Sequence, residues 1–246
     1  MRLLRGVLSP WRGAGLEVLA SMDAILSHPR RPWISAGLIL LATMGAWFLY
    51  VPVHELMHAL GCVATGGTVG QLQIARMYGG GVLARVLPFV QAGGEYAGRL
   101  TKFDTGGSDL VYLATDLAPF LLTVLGGFTL LRRAKRRRDP LLFGPGIVLA
   151  AAPVVSLAGD YYEMGSVLVS GVILALGGKT ADPRALSLRH DDLVALLGEF
   201  QARFPDGRAD WSVAMAAGAL LGVLLAGATL AASRKVADLV EPAPRG

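Results

Sequence analysis

Residues 34–58 read ISAGLILLATMGAWFLYVPVHELMH, and this stretch decides how the rest of the chain is interpreted. Its first 20 residues carry no charge, and a helix needs about 20 apolar residues to cross the hydrocarbon core of a membrane. Its last five residues place two histidines and a glutamate at the end of that span. Ionisable groups at membrane depth are costly and usually functional. The stretch therefore predicts a membrane-spanning helix with a chemical site at one end.

The composition of the whole chain agrees with a membrane protein. Hydrophobic residues make up 53% of the 246 residues, charged residues only 17%, and the mean hydropathy is +0.52. Soluble domains carry about 25% charged residues, so the composition excludes an ordinary soluble enzyme and a disordered chain. Cys62 is the single cysteine, which excludes a disulfide framework and a cysteine-cluster zinc site within one chain.

Apolar runs predict an all-α integral membrane protein with four to five transmembrane helices. Four runs are long enough to cross, and a shorter fifth run is included as a probable span. They are residues 34–53, 111–131, 141–159 and 211–233, with 164–178 as the fifth.

The spans divide the chain into four parts. These are an N-terminal cytoplasmic or interfacial segment (1–32), a membrane-embedded core (33–178), a loop with an amphipathic helix (179–210), and a C-terminal transmembrane helix with its tail (211–246). Leu193, Leu196 and Phe200 recur at helical spacing and predict that amphipathic helix.

The basic residues predict the orientation in the membrane. Six of the seven residues 132–138 are Lys or Arg. Because cytoplasmic loops collect basic residues, we interpret this run as a topology signal and expect no nucleic-acid partner. Arg30 and Arg31 fall on the same cytoplasmic side if each intervening span crosses once. With five crossings, Arg234 and Lys235 are expected outside.

The long connection over residues 61–108 is rich in glycine. Within it, residues 69–74 alternate between apolar and polar, which is typical of a strand, and residues 82–90 are apolar enough to dip into the membrane. Irregular backbone at membrane depth is tolerated where it is buried in protein or lines a cavity. We therefore expect a β-hairpin or re-entrant element beside an internal cavity.

The first span ends in His54-Glu55-Leu56-Met57-His58, an HExxH motif. On a helix, two histidines four residues apart lie on one face and can both reach one zinc ion. Zinc acidifies water and polarises carbonyl groups, and Glu55 is positioned to take the proton of the attacking water. The motif predicts a zinc site with His54 and His58 as ligands and Glu55 as general base.

The motif and its surroundings resemble the site-2 protease family of intramembrane zinc metalloproteases. The resemblance consists of the HExxH at the end of a span, the Ala59-Leu60-Gly61 that follows, and the glycine-rich segment with its strand-like piece. In that family the third zinc ligand is an aspartate in a Pro-containing motif ending Leu-Asp-Gly. The matching stretch here is residues 153–160, PVVSLAGD, which offers Asp160. Gly159 precedes the aspartate instead of following it, and the asparagine of the family motif is absent.

The lengths of the spans support Asp160 independently. His54 lies 21 residues after Trp33 and Asp160 lies 20 residues after Pro140. At about 1.5 Å per residue, both reach a similar depth at the same end of parallel helices.

Two other carboxylates compete for the third position. Glu163 lies three residues beyond Asp160, and Asp116 lies in the span 111–131. Whichever of them is not a ligand could still hold a ligand histidine. Tyr161 and Tyr162 flank Asp160 and are interpreted as aromatic residues at the membrane interface.

The resemblance implies a zinc metalloprotease that cleaves peptide bonds in or near transmembrane segments of membrane-protein substrates. We expect it in the lipid bilayer of the cell (inner) membrane of a bacterium. A zinc protease with Glu163 as the third ligand is a second reading. A third is a non-catalytic membrane transporter or scaffold with a structural metal site.

Overall fold

The computed structural model describes residues 2–27, 32–177, 188–190, 192–203 and 209–242. Arg30, Arg31 and residues 178–187 of the predicted loop lie outside this part of the chain. The helices within it are α1 (Arg2–Leu26), α2 (Pro32–Ala64), α3 (Gly80–Val86), α4 (Asp109–Leu117), α5 (Phe120–Leu122), α6 (Phe128–Arg137), α7 (Pro140–Val155), α8 (Asp160–Gly177), α9 (Leu193–Arg203) and α10 (Ala209–Val240). The strands are β1 (Thr68–Ile74), β2 (Val90–Ala92) and β3 (Gly98–Asp104).

Three helical segments are long and apolar enough to cross a membrane: Pro32–Ala64, Pro140–Gly177 and Trp211–Val240. A fourth candidate is the pair Asp109–Leu117 and Phe120–Arg137, which is bent by 48°. The two runs predicted as separate spans, 141–159 and 164–178, belong to one long segment. The described chain therefore offers three or four spans, and the prediction of a fifth is wrong.

Helix α2 and the α7–α8 segment run side by side in the same direction, as the span lengths predict. Near the start of both, Gly144 packs against Ala42, and a Cβ at Gly144 would lie only 2.5 Å from the Cβ of Ala42. Further along both, Asp160 reaches His54. The turn between α7 and α8 thus interrupts the helix without reversing the chain.

A tight turn reverses the chain between α6 and α7. Arg138 adopts a left-handed conformation with φ of 52°, and Pro140 occupies the first turn of α7, where its missing N–H costs nothing. The carboxylate of Asp139 caps α7 by accepting from the N–H groups of Leu141 and Leu142 at 2.8 and 3.4 Å.

The glycine-rich connection adds a three-stranded sheet, in the order β2-β1-β3, to the predominantly helical fold that was predicted and is confirmed. Strand β1 pairs parallel with β2 and antiparallel with β3. The alternation over residues 69–74 does form β1, and its Leu72 and Ile74 are buried. The other two strands have no clear sequence pattern, because β2 is only three residues long and β3 is mostly polar and half-exposed.

The segment between β1 and β2 turns back along the outside of α2. Tyr78 packs on Phe48, with ring centroids 5.3 Å apart, and its hydroxyl accepts from the indole N–H of Trp47 at 3.3 Å. Trp47 precedes His54 by seven residues, so this segment reaches about 10 Å back along the span. Met77 and Val82, both 66% exposed, lie on its outer surface. The chain therefore doubles back along α2 here, and that this segment enters the membrane stays a prediction.

Glycines let α8 and α10 pack closely in antiparallel orientation. Gly218 and Gly222, four residues apart on α10, face Gly165 and Tyr161 of α8. A Cβ at Gly222 would lie 2.6 Å from the carbonyl oxygen of Tyr161. Small residues at this spacing are typical of close helix pairs in membranes.

Tyr161 and Tyr162 are fully buried, so their interpretation as interface residues is wrong. The hydroxyl of Tyr161 donates to Thr229 Oγ1 at 2.9 Å, and that of Tyr162 donates to the carbonyl of Leu188 at 3.3 Å. Both hydroxyls are satisfied within the helix packing, as buried polar groups must be.

A charged cluster ties α1, α6 and α10 together at one end of the bundle. Glu17 accepts from Arg132 at 2.5 Å and from Arg234 at 2.9 Å, and Asp238 accepts from Arg132 at 2.7 Å. Arg132 and Arg234 therefore lie at the same end, whereas five crossings predicted opposite sides. The difference arises because α7 and α8 make one passage through the bundle and not two.

Helix α1 is amphipathic and packs against this end of the bundle. Ala14 and Ile25 of α1 are buried in the core of the bundle, and the partly buried Trp11 packs against this core. Leu16 and Leu19, each 56% exposed, form the opposite face. This division of faces is typical of the interfacial helix predicted for residues 1–32.

Candidate metal centre

His54, His58 and Asp160 converge on one point between α2 and the start of α8. The Nε2 atoms of the two histidines lie 3.2 Å apart. Asp160 Oδ2 lies 3.2 Å from His54 Nε2, and Oδ1 lies 3.5 Å from His58 Nε2. These three side chains could hold a metal ion, and in the described part of the chain they are the one such group of His, Cys, Asp or Glu.

The separations between the three ligand atoms suit a small tetrahedral ion. Nitrogen and oxygen atoms about 2.0–2.2 Å from a tetrahedral zinc ion lie about 3.3–3.6 Å from each other. The observed separations of 3.2, 3.2 and 3.5 Å are close to this range. Three protein ligands leave a fourth position open, as in catalytic zinc sites.

A backbone carbonyl fixes the orientation and tautomer of His58. The Nδ1 atom of His58 lies 2.9 Å from the carbonyl oxygen of Thr115 in α4. A carbonyl can only accept, so the proton is on Nδ1 and the Nε2 lone pair of a neutral His58 points toward His54 and Asp160. This lone pair faces the Asp160 carboxylate at 3.5 Å, and both groups are electron-rich. A cation between them would therefore stabilise the arrangement.

His54 is held in the same way by a side chain one turn earlier in α2. The hydroxyl of Tyr50 lies 2.7 Å from His54 Nδ1. Tyr50 is buried, with 9% of its surface exposed, so this hydrogen bond is shielded from water. Partners of this kind on the outer nitrogen of ligand histidines orient the ring.

The turn between α7 and α8 explains how Asp160 reaches the histidines. It ends at Asp160, the first residue of α8, where the carboxylate is free to point away from the helix axis. The turn leaves backbone carbonyls without helical partners, and the carbonyl of Ala158 accepts from Leu193 N–H, the first residue of α9, at 2.8 Å. The predicted amphipathic helix therefore docks on the turn that carries Asp160.

The two competing carboxylates lie near the site but outside the three-residue group. The hydroxyl of Tyr112 donates to the carboxylate of Glu163, and Ser166 donates to the backbone carbonyl of Glu163 at 2.7 Å. Asp116 is buried in α4, next to Thr115. Both carboxylates line the cavity beside the metal centre.

A cavity of about 530 Å³ opens onto the metal centre. Glu55, His58 and Asp160 line it, and residues of β3 line it as well. Glu55 stands directly against Gly98 of β3, where a Cβ would lie 2.6 Å from the Glu55 Cδ and 2.9 Å from Oε1. Glycine at this position lets the strand approach the carboxylate. The volume is within the range of small-ligand pockets, about 300–1,000 Å³.

Residues just before α9 also line the cavity. The guanidinium of Arg189 donates to both oxygens of Asp109 at 2.7 and 3.0 Å and to Ser170 at 2.8 Å. Asp192 accepts from Tyr96 at 3.2 Å and caps α9. The N–H groups of Ala195 and then Val194, which donate to Asp192, lower the pKa of its carboxyl from the ordinary value.

Several residues that organise the centre were missed in the sequence. Tyr50 could have been found, because it lies four residues before His54 and shares its helix face. The role of the Thr115 carbonyl could not have been found, because every residue has a backbone carbonyl. Gly98 is one of many glycines in its segment, and nothing in the sequence marks its contact with Glu55.

Comparisons with protein-family models, with curated proteins and with solved structures found no match to this chain. The residues of the metal centre and their geometry are therefore the basis for inferring a function.

Proposed function

We propose that this chain is a membrane-embedded zinc metalloprotease, with His54, His58 and Asp160 as zinc ligands and Glu55 as general base. The observation that carries the proposal is the triangle of ligand atoms at 3.2–3.5 Å, with a carboxylate on the residue after the first histidine and a cavity in front of both. Two imidazoles and one carboxylate form a ligand set that suits zinc.

Each residue has a definite task in peptide hydrolysis. Bound zinc would polarise the substrate carbonyl and acidify the attacking water. Glu55 takes the proton of that water and passes it to the leaving amine. Hydrogen bonds with the Tyr50 hydroxyl and with the Thr115 carbonyl, which accepts, hold the imidazoles of His54 and His58 in place. Gly98 leaves space for the Glu55 carboxylate at the cavity wall.

The substrate we propose is an extended segment in or near a transmembrane helix of another membrane protein. Strand β3 is an outer strand of the sheet and lines the cavity, so an unwound peptide can add to it as a further strand. The apolar helices suit a location in the bilayer, and the resemblance to site-2 proteases agrees with this substrate class. A bacterial cell membrane remains part of the proposal.

The test combines metal analysis with a matched pair of substitutions. Purified protein should contain close to one zinc per chain and should cleave at least one of a panel of co-reconstituted single-span membrane proteins. Glu55→Gln keeps the shape of the side chain but cannot take the proton, so cleavage should fall by about 10²–10⁴ with zinc retained. Glu199→Gln, on the exposed surface of α9, should change neither quantity.

Two results would contradict the proposal. Wild-type turnover in Glu55→Gln would show that this carboxylate is not the base. Stoichiometric zinc without cleavage of any substrate in the panel would favour the structural metal site of a transporter or scaffold.

A further inference from the structure

Pro119 leaves the carbonyl oxygen of Thr115 without its ordinary helical partner. In a continuous α-helix that oxygen accepts from the N–H four residues later, which is residue 119. Proline has no N–H. The backbone nevertheless remains helical, with φ and ψ of −55° and −41° at Ala118 and −59° and −31° at Pro119. An ordinary residue at position 119 would therefore point its N–H at Thr115.

The imidazole of His58 takes the place of the missing donor. Its Nδ1 lies 2.9 Å from the freed oxygen, and Thr115 is only 1% exposed, so water does not compete for the bond. Gly61, one turn after His58, makes the approach possible. A Cβ there would lie 2.7 Å from the carbonyl oxygen of Ala114 and 3.3 Å from the Cα of Thr115.

The same arrangement occurs a second time in this chain, away from the histidines. Pro153 in α7 leaves the carbonyl of Leu149 without a helical donor, and Thr123 Oγ1 of the neighbouring segment donates to it at 2.8 Å. In both places a proline frees a buried carbonyl and a side chain from the next helix occupies it. Pro153 therefore provides an internal control for the effect of losing such a bond.

We propose that Pro119 is a positioning residue for the metal centre. By freeing the Thr115 carbonyl it holds His58 as the Nδ1–H tautomer, with the Nε2 lone pair directed toward His54 and Asp160. This inference rests on the proposed function, because it assigns His58 Nε2 as a metal ligand. Pro119 itself contacts neither the metal nor the substrate.

The test substitutes each proline and reads the tautomer and the metal affinity separately. In Pro119→Ala the new N–H competes with His58 for Thr115, and the bend between α4 and α5 relaxes. Loss of such a partner typically weakens metal binding about 10–100-fold, measured by competition with a chelator. In metal-free protein labelled with ¹⁵N-histidine, the Nδ1–H signal pattern of His58 should also be lost. Only four histidines contribute, and His58→Gln identifies the signal.

Pro153→Ala controls for a general loss of helix packing. It should lower the melting temperature without changing the tautomer of His58. Should Pro119→Ala fail to fold, Gly61→Ala tests the same contact by pushing α4 away from α2, and it should also disturb the tautomer.

Wild-type tautomer and wild-type zinc affinity in the substituted protein would overturn the inference. Absence of zinc from the wild-type protein would instead overturn the proposed function, while the tautomer measurement would still test the role of Pro119.

Discussion

The Nε2 atom of His54 and the Oδ2 atom of Asp160 lie 3.2 Å apart, although they belong to different helices far apart in the chain. Two features bring them together. Helix α2 and the α7–α8 segment run parallel, and the helix breaks immediately before Asp160. If the helix continued through residues 156–159, helical spacing alone would set the direction of the Asp160 side chain. Because α8 instead begins at Asp160 after a turn, its carboxylate lies at a helix start.

This relationship predicts that Asp160, and not Glu163 or Asp116, is the third metal ligand. Asp160→Asn keeps the size of the side chain but removes its charge, so zinc content should fall sharply in purified protein. Glu163→Gln and Asp116→Asn are matched changes at carboxylates outside the triangle and should retain near-stoichiometric zinc. Loss of zinc from Glu163→Gln with retention in Asp160→Asn would support the second reading of the motif.

The HExxH motif and the apolar runs were sufficient to predict the helix that carries the site and the proximity of Asp160. Both predictions use periodicity and length, which follow directly from helix geometry. The number of crossings could not be obtained in this way. The four residues 160–163 between the two apolar runs read as a loop between spans, although they begin α8. Only the packing against α2 and α10 shows that the chain continues in one direction.

The sheet and the hydrogen bonds around the metal centre were harder to predict from the sequence. Strand β3 is polar and half-exposed, so its pattern resembles a loop, and its position depends on pairing with β1. The acceptor for His58 is a main-chain oxygen, which no residue type indicates. A proline at position 119 frees the Thr115 carbonyl, but which donor uses it depends on how closely α2 approaches α4 at Gly61.

Gly98→Ala is predicted to slow hydrolysis without loss of metal. The new Cβ would lie 2.6 Å from the Cδ of Glu55, so the carboxylate must move away from the cavity wall. Displacing a catalytic group by about 1 Å can cost about 10²-fold in rate. Gly70→Ala is the matched control in the same sheet, because its Cβ would meet Lys102 at an ordinary 3.4 Å. Equal rates in the two variants would show that Gly98 does not position Glu55.

Gly222→Ala is predicted to destabilise the helix bundle. Its Cβ would lie 2.6 Å from the carbonyl oxygen of Tyr161, and a backbone group cannot move aside as a flexible side chain can. Overpacking of this kind costs about 1–3 kcal/mol. Gly45→Ala, where the Cβ meets nothing within 4 Å, should instead stabilise α2 slightly, because alanine favours helices over glycine. Thermal unfolding in detergent measures both, and a stabilised Gly222→Ala would contradict the close packing.

The charged cluster around Glu17 predicts that the basic run and the end of α10 lie on the same side of the membrane. Arg132 and Arg234 both donate to Glu17, at 2.5 and 2.9 Å, so the chain passes through the bundle an even number of times between them. The positive-inside rule predicts that this end lies in the cytoplasm, because it carries the six basic residues of 132–138. The sheet and the cavity then face the opposite side.

Three exposed lysines allow a matched labelling experiment in a Cys62→Ala background. Lys135→Cys and Lys235→Cys lie at the charged end, and Lys102→Cys lies on β3 near the cavity. An impermeant maleimide added to intact cells should label Lys102→Cys only, and in inside-out vesicles it should label the other two only. Each variant loses one positive charge, so differences in labelling report location and not charge. Labelling of Lys135→Cys and Lys235→Cys from opposite sides would restore the five-crossing topology and separate the two ends that Glu17 joins.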